Sequence, residues 1–336
     1  MKQLVNISDL SYDSDKYFAG DVAGNLPPFL RRNHLDGLEL MICDEYDPIG
    51  YPSEYIRGVH LRFWPTWYCF FLGDMDKAAG RLSAGTRPAD YYEAETPADW
   101  VELYRHNICQ AVKAGAEYVV FHVAECAVGE IFHRRHEVGS EAVIAAAADL
   151  INEITAELPE DISFLCENIW WPGLNFTDPA LARELLDRLS HRNSGFCLDT
   201  GHLMCTDWSL QTQEQGIDYV CRRMEALGDL AGRVKTVHLH QSLSGKYAAL
   251  MAETAGDSLP DMWQTMEYIS RIDNHLPVTT PHVRKLFDFI SPDYLVHEFM
   301  PVDMADWEKK LKIQQHHIIR LIGSHLGELS AKLTEG

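Results

Sequence analysis

Positive charge is what this 336-residue chain has least of: 29 Lys and Arg stand against 50 Asp and Glu, a net charge of −21 with His neutral. So acidic a surface repels a phosphate backbone at long range, which makes duplex DNA an unlikely partner. Long hydrophobic runs are missing too. No stretch approaches the roughly 20 apolar residues that span a bilayer, and the N-terminus has no long apolar segment of a secretory signal. The expectation is a soluble, cytoplasmic protein with no membrane partner. Cys-x-x-Cys pairs are absent, and the eight cysteines (Cys43, Cys69, Cys109, Cys126, Cys166, Cys197, Cys205 and Cys221) are widely scattered. That spacing argues against a zinc ribbon or a thioredoxin-like site and for reduced thiols in a reducing compartment. No Gly-x-Gly-x-x-Gly follows a strand and no P-loop occurs, so an open nucleotide-binding sheet lacks its signature. Disorder is excluded by 46% hydrophobic and 24% charged residues, which are globular values.

Eight short apolar runs bounded by turn signals are present: Gln3-Leu-Val-Asn-Ile, Gly37-Leu-Glu-Leu-Met-Ile, Arg57-Gly-Val-His-Leu, Tyr118-Val-Val-Phe-His, Ser163-Phe-Leu-Cys-Glu, Gly195-Phe-Cys-Leu-Asp, Val234-Lys-Thr-Val-His and Tyr294-Leu-Val-His-Glu. Continuous apolar runs mark strands buried on both faces. Amphipathic helical stretches alternate with them, around residues 25–33, 98–114, 140–158, 179–189, 213–227, 280–290 and 304–326. Two open with Thr96-Pro97 and Asp178-Pro179, a capping side chain before a first-turn proline. Eight strands alternating with helices predict an α/β fold, a single (β/α)8 TIM barrel domain over residues 1–336. Two long connections interrupt it, Phe63 to Glu95 after the third strand and Gln241 to Ile272 after the seventh. Both leave C-terminal strand ends, the face where barrel active sites lie.

The strand ends carry the chemistry. The third ends at His60, the fourth at His122, the fifth at Glu167, the sixth at Asp199 with His202 beyond it, the seventh at His238 and the eighth at Glu298. Asp273 and His275 follow directly after the second long connection. Singly, each is more often a structural core residue than a ligand. Together, on one rim and without Lys or Arg among them, they would repel one another or stay protonated unless cations held them. Imidazole with carboxylate and no matching thiolate suits Zn, Mn or Fe.

These segments carry a resemblance. Phe121-His122, Glu167-Asn168, Leu198-Asp199-Thr200-Gly201-His202, Val237-His238-Leu239, Asp273-Asn274-His275 and His297-Glu298 are similar, in order, to the metal-binding stations of the endonuclease IV and xylose isomerase-like TIM-barrel superfamily. The resemblance runs from His60 to Glu298. It implies up to three divalent metal ions per chain, held by His60, His122, Glu167, Asp199, His202, His238, Asp273, His275 and Glu298. It also implies one of two reactions. The first is hydrolysis of a phosphoester in a small or medium-sized non-DNA substrate, for which the nucleotide-loop phosphodiester of a cobamide is an example. The alternative is sugar or sugar-phosphate isomerisation or epimerisation on one metal held by Glu167, Asp199, His238 and Glu298, with Glu167 and Glu298 as the acid/base pair. The Asp273-x-His275 pair favours the multinuclear hydrolase. The chain departs from endonuclease IV after His238, where it reads Leu239-His240-Gln241-Ser242 and continues into an insertion before Asp273.

For a small or phosphorylated substrate the expected contacts are aromatic residues on the loops, Trp64, Trp67, Trp170 and Trp171, which either stack on a ring or pack the loops as a lid. Arg134, in the basic cluster Phe132-His133-Arg134-Arg135-His136, and His240 are expected near a phosphate, His240 also as an extra ligand. His316 and His317 read as surface residues.

Overall fold

The run Tyr118-Val-Val-Phe-His is buried at every position but the last, as befits a strand covered by helices outside and by the barrel interior within. Eight such strands form the computed structural model, which describes residues 1–254 and 259–318. They are β1 (Lys2–Ser8), β2 (Gly37–Met41), β3 (Ile56–His60), β4 (Tyr118–His122), β5 (Ser163–Glu167), β6 (Ser194–Asp199), β7 (Val234–His238) and β8 (Tyr294–His297). All pair in parallel and in sequence order, and β8 returns to β1 to close a (β/α)8 barrel. The expected strands are present, with ends displaced by at most one residue; Ile42, Leu61 and Glu298 lie just past theirs.

Side chains alternate along a strand, so residues two apart face the same side. Leu4, Tyr118, Val120, Leu165, Cys197 and Val296 form one buried cluster that fills the barrel. His122, Glu167, Asp199 and Glu298 each stand two residues beyond a member of that cluster and form the next inward layer. Register keeps this layer level: His122 is opposite Glu167, and Asp199 is opposite His238. Gly58 lets the interior close, because a Cβ there would lie 2.2 Å from the Tyr118 ring.

The helices begin with α1 (Ser11–Phe18) and α2 (Val22–Arg32), then α3 (Tyr68–Phe71), α4 (Met75–Gly80) and α5 (Pro88–Tyr92) in the first long connection. They continue with α6 (Pro97–Lys113), α7 (Ser140–Ile154), α8 (Pro179–Arg188), α9 (Thr200–Cys205) and α10 (Gln213–Leu227). The second connection holds α11 (Gly245–Thr254) and α12 (Met262–Ile272), and α13 (Met304–Ile318) follows β8. The proline starts work as expected: Thr96 and Asp99 form a reciprocal cap on α6, and Asp178 caps α8.

Some differences from the expected helices have physical causes. The stretch expected as a helix over 280–290 is a 3-10 turn, Pro281–Asp288, whose three-residue period suits its buried Val283 and Leu286. The polar helix α1 has no apolar stripe to announce it. Residues 319–326 of the final expected helix lie outside the described residues; within them His316 is exposed and His317 partly so.

Candidate metal centre

The C-terminal rim gathers all nine expected ligand side chains into three groups, two of which share a residue. The first is His60, His122 and Glu167; the second is Glu167, Asp199, His238 and Glu298; the third is His202, Asp273 and His275 with His240. Within each group the ligand atoms lie within 4.8 Å of one another. Glu167, fully buried, belongs to the first two: its Oε2 is 3.0 Å from His60 Nε2 and 3.2 Å from His122 Nε2, and its Oε1 is 3.3 Å from His238 Nδ1.

Backbone carbonyls set the imidazole tautomers. His60 donates Nδ1–H to the Leu61 carbonyl at 2.8 Å, and His202 donates Nδ1–H to the Asn168 carbonyl at 2.9 Å. In each neutral ring the Nε2 lone pair then faces a carboxylate, Glu167 Oε2 in one case and Asp273 Oδ2, 3.0 Å away, in the other. A lone pair against a carboxylate repels unless a proton or a metal ion lies between them. On the other side of the centre, His238 Nε2 lies 3.0 Å from Glu39, whose carboxylate accepts a hydrogen bond from Tyr118 Oη at 2.7 Å. This contact turns His238 Nδ1 toward Glu298 Oε2, 3.0 Å away.

Burial and neighbouring charges shift these groups in opposite directions. Burial opposes charge on His202, yet Asp199 and Asp273 raise its pKa well above the ordinary value; burial likewise opposes charge on His238, which Cys197, Glu39 and Glu167 raise. His275 is pushed up to about 9, burial being outweighed by Asp273. Burial alone pushes Glu167 up, but His122 and His238 hold it well below the carboxylate range. His122 goes the other way, its pKa lowered chiefly by burial.

Divalent metal ions fit this donor set. His122 Nδ1 and Nε2, His238 Nδ1, Glu167 Oε1, Glu298 Oε2 and His275 Nδ1 are buried without a hydrogen-bond partner, an arrangement that costs energy unless something else satisfies those atoms. Cys126, Glu130 and His136 also cluster. There, however, the Arg81 guanidinium already supplies the positive charge, 3.3 Å from Glu130 and 3.1 Å from Glu125.

His275 reaches the centre because a short antiparallel bridge between Gln241 and Leu276 closes the base of the second insertion. Gln241 N–H donates to the Leu276 carbonyl at 2.8 Å, and Ser242 Oγ donates to Asp273 Oδ1 at 2.8 Å. His275 itself takes a left-handed φ of 46°, a conformation that non-glycine residues adopt at a cost. Asp199 is placed by two roles: its side chain caps α9 by accepting the His202 N–H at 2.6 Å, and Asn168 ties its backbone to β5 from both sides.

The expected substrate contacts require correction. Trp64, Trp67 and Trp171 are buried and offer no free ring face to a ligand. Trp64 and Trp67 pack around Trp100 with Phe70 and Tyr92, and the Trp67 indole N–H donates to the Ala124 carbonyl at 2.6 Å. They pin the first connection down, the packing role of the two weighed. Trp170 is half-buried with its ring 5.2 Å from that of His202. Arg134 is exposed but engaged, donating to the Thr206 carbonyl at 2.8 Å and lying over Trp208. His240 is fully buried among the ligands instead of lying near a phosphate at the mouth.

The open approach lies on another side. A cavity of about 470 Å³ between β1, β2, β3 and β8 is lined by His60, His122, Glu39 and Glu298 together with Asn6, Ser8, Asp13, Lys16 and Tyr17. Lys16 is the one lysine or arginine in that lining. A larger hollow, about 630 Å³, lies at the opposite end beside Glu117, Lys235 and Asp293, the face that stabilises barrels and does not catalyse. Sequence reading missed Glu39 and Lys16. A lone acidic residue inside the apolar run Gly37-Leu-Glu-Leu-Met was a usable signal, since a fully buried carboxylate needs a partner; nothing in the sequence distinguished Lys16.

Comparison with known proteins finds relatives of this chain. A Solibacter usitatus (strain Ellin6076) protein named probable endonuclease 4 is 30% identical over 147 residues, 42% of this chain and 47% of that protein, so the match spans about half of the relative. Among solved structures, a D-tagatose 3-epimerase-like protein aligns over 97% of this chain and 100% of its own with a TM-score of 0.52 and 15% identity. Endonuclease IV from Thermus thermophilus aligns over 95% and 100% with a TM-score of 0.45 and 14% identity. Residues 82–290 match the family described as xylose isomerase-like TIM barrel, and the chain belongs to that family.

Proposed function

We propose that the protein is a metal-dependent phosphoester hydrolase acting on a small or medium-sized anionic substrate, with three divalent ions, Zn, Mn or Fe, bound by the nine rim residues. The observation that carries this reading is the division of the rim into three ligand groups, two of them joined through Glu167. A one-metal isomerase needs only the group of Glu167, Asp199, His238 and Glu298, and would leave His60, His122, His202, Asp273 and His275 without a task. Ions held by the two groups that share Glu167 would supply acidified water and charge neutralisation for a phosphoryl group.

The chain's own residues divide the remaining work. Glu167, sealed at the centre, orients the imidazoles on both sides of it. Glu298 lines the cavity, and its Oε1 accepts from Asn6 Nδ2 at 3.1 Å, which leaves Oε2 directed inward; it is the carboxylate placed to hold a proton of the attacking water. Lys16 forms no salt bridge among the described residues and stands with its Nζ 4.9 Å from the centre of the Tyr17 ring. In a chain of net charge −21, one unneutralised ammonium beside the site selects a negatively charged substrate. The same overall charge disfavours duplex DNA, even though one relative bears an endonuclease name.

The test combines metal counting with a substrate panel. Elemental mass spectrometry on protein purified without chelator or nickel is expected to give about three ions per chain, and phosphodiesters, cobamides among them, are expected to be cleaved. His60→Ala and His122→Ala, which a one-metal isomerase would tolerate, should lower kcat/KM by about 10- to 100-fold. One ion per chain, with turnover of ketose or aldose phosphates and none of phosphodiesters, would replace this reading with the isomerase.

A further inference from the structure

We propose that His240 is a fourth ligand in the group of His202, Asp273 and His275, so that this site is closed and structural, holding the second insertion onto the barrel while chemistry takes place at the groups sharing Glu167. This rests on the metal-dependent reading above and adds a division of labour to it.

The nine-residue set omits His240, yet its ring is fully buried and its ligand atom lies within 4.8 Å of those of the other three. Its position is tightly held. The Thr200 hydroxyl donates to the His240 carbonyl at 2.5 Å, and the Thr200 oxygen accepts the His240 N–H at 3.2 Å. The ring lies nearly parallel to His275, 4.2 Å between centroids and 11° between planes. His240 Nε2 meets Asp199 Oδ2 at 2.8 Å, which leaves Nδ1 facing Asp273 Oδ1 at 3.9 Å. Space for the ring is reserved by Gly201, where a Cβ would lie 2.0 Å from His240 Cε1.

Ligand number and access decide what such a site does. Closed four-ligand sites are structural, whereas catalytic ones keep a position open. Three imidazoles and one carboxylate complete a tetrahedral set, and the cavity that reaches the centre is lined by His60, His122 and Glu298 but by none of these four. What the four residues join is also structural. His202 stands on α9 after β6, His240 follows β7, and Asp273 and His275 close the insertion carrying α11 and α12. An ion bound by all of them staples that insertion to two strand ends.

The experiment compares the wild-type protein with His240→Ala and with His240→Asn, which keeps a polar side chain but offers no ring nitrogen. Each is loaded with Co²⁺ and with Zn²⁺ and checked for folding by circular dichroism. The readouts are ions per chain, the intensity of the visible cobalt absorption that marks tetrahedral coordination, and the rate of proteolysis within residues 241–272. Both folded variants are expected to hold one ion fewer than wild type, to lose the most intense part of the cobalt spectrum and to be cut at least about 10-fold faster in the insertion. Either folded variant with the wild-type ion count and spectrum overturns the assignment of His240. Failure of the three-metal reading looks different, because it appears in the ion count of the wild-type protein itself.

Discussion

Gly201 sits between Asp199 and His202 where a side chain has no room, with the His240 ring already in the space a Cβ would take. Retreat of that ring is blocked by Thr200, which clamps the His240 backbone, and by His275 stacked on its face. Gly201→Ala is therefore expected to destabilise the metal-free fold by about 1–3 kcal/mol, the usual cost of overpacking. A lower calorimetric Tm together with a lower ion count would show this, and an unchanged Tm would mean that the ring has freedom its contacts deny. Lys16 makes the opposite kind of prediction, on binding alone. Lys16→Ala should raise KM for an anionic phosphodiester by about 10-fold or more, the worth of a charged hydrogen bond, with kcat and ion count nearly unchanged. A matched fall in kcat would assign the lysine to the reaction itself.

At the scale of elements, the first connection is held from inside. The Trp67 backbone N–H donates to Glu125 Oε2 at 2.6 Å, and Glu125 is paired with Arg81 below it. Trp67→Phe removes the indole donor and part of a buried ring, and is expected to cost about 1–3 kcal/mol in chemical denaturation while leaving KM where it was. A raised KM at unchanged stability would return the ring to a substrate contact. The same connection marks where sequence reading stops. Strands such as β4 and β7 were legible because a doubly buried strand must be a short continuous apolar run, and ligands such as His122, Glu167, Asp199 and His238 were legible because they end those runs. Loop paths depend on contacts far apart in the chain, such as Gln241 with Leu276 or Arg81 with Glu125, which leave no local pattern. An exposed aromatic and a buried one look alike in sequence, so Trp64 and Trp67 could be weighed as stacking surfaces or lid packing but not decided. Glu39 was concealed differently, as a single charge inside an otherwise ordinary strand.

For the whole molecule, a net charge of −21 and a rim crowded with carboxylates set how protons and metal ions compete. In the metal-free protein His275 is pushed up to about 9 by Asp273, against burial, and His202 and His238 are raised well above the ordinary value. Raised imidazoles stabilise the metal-free fold fully below their unfolded pKa of about 6.5. That contribution is lost as pH rises toward about 9, where His275 gives up its proton. Metal binding has the opposite sign, because each ligand nitrogen must shed its proton before it can coordinate. Between pH 6.5 and 9 the Tm of the metal-free protein should therefore fall, zinc affinity should rise, and the gap between the Tm values of the loaded and metal-free forms should widen. Calorimetric zinc titrations in buffers of different ionisation enthalpy would register the released protons directly. Zinc affinity that stays flat across this interval, with no proton release, would mean that the imidazoles are already neutral and that their charge is not what holds the empty rim together.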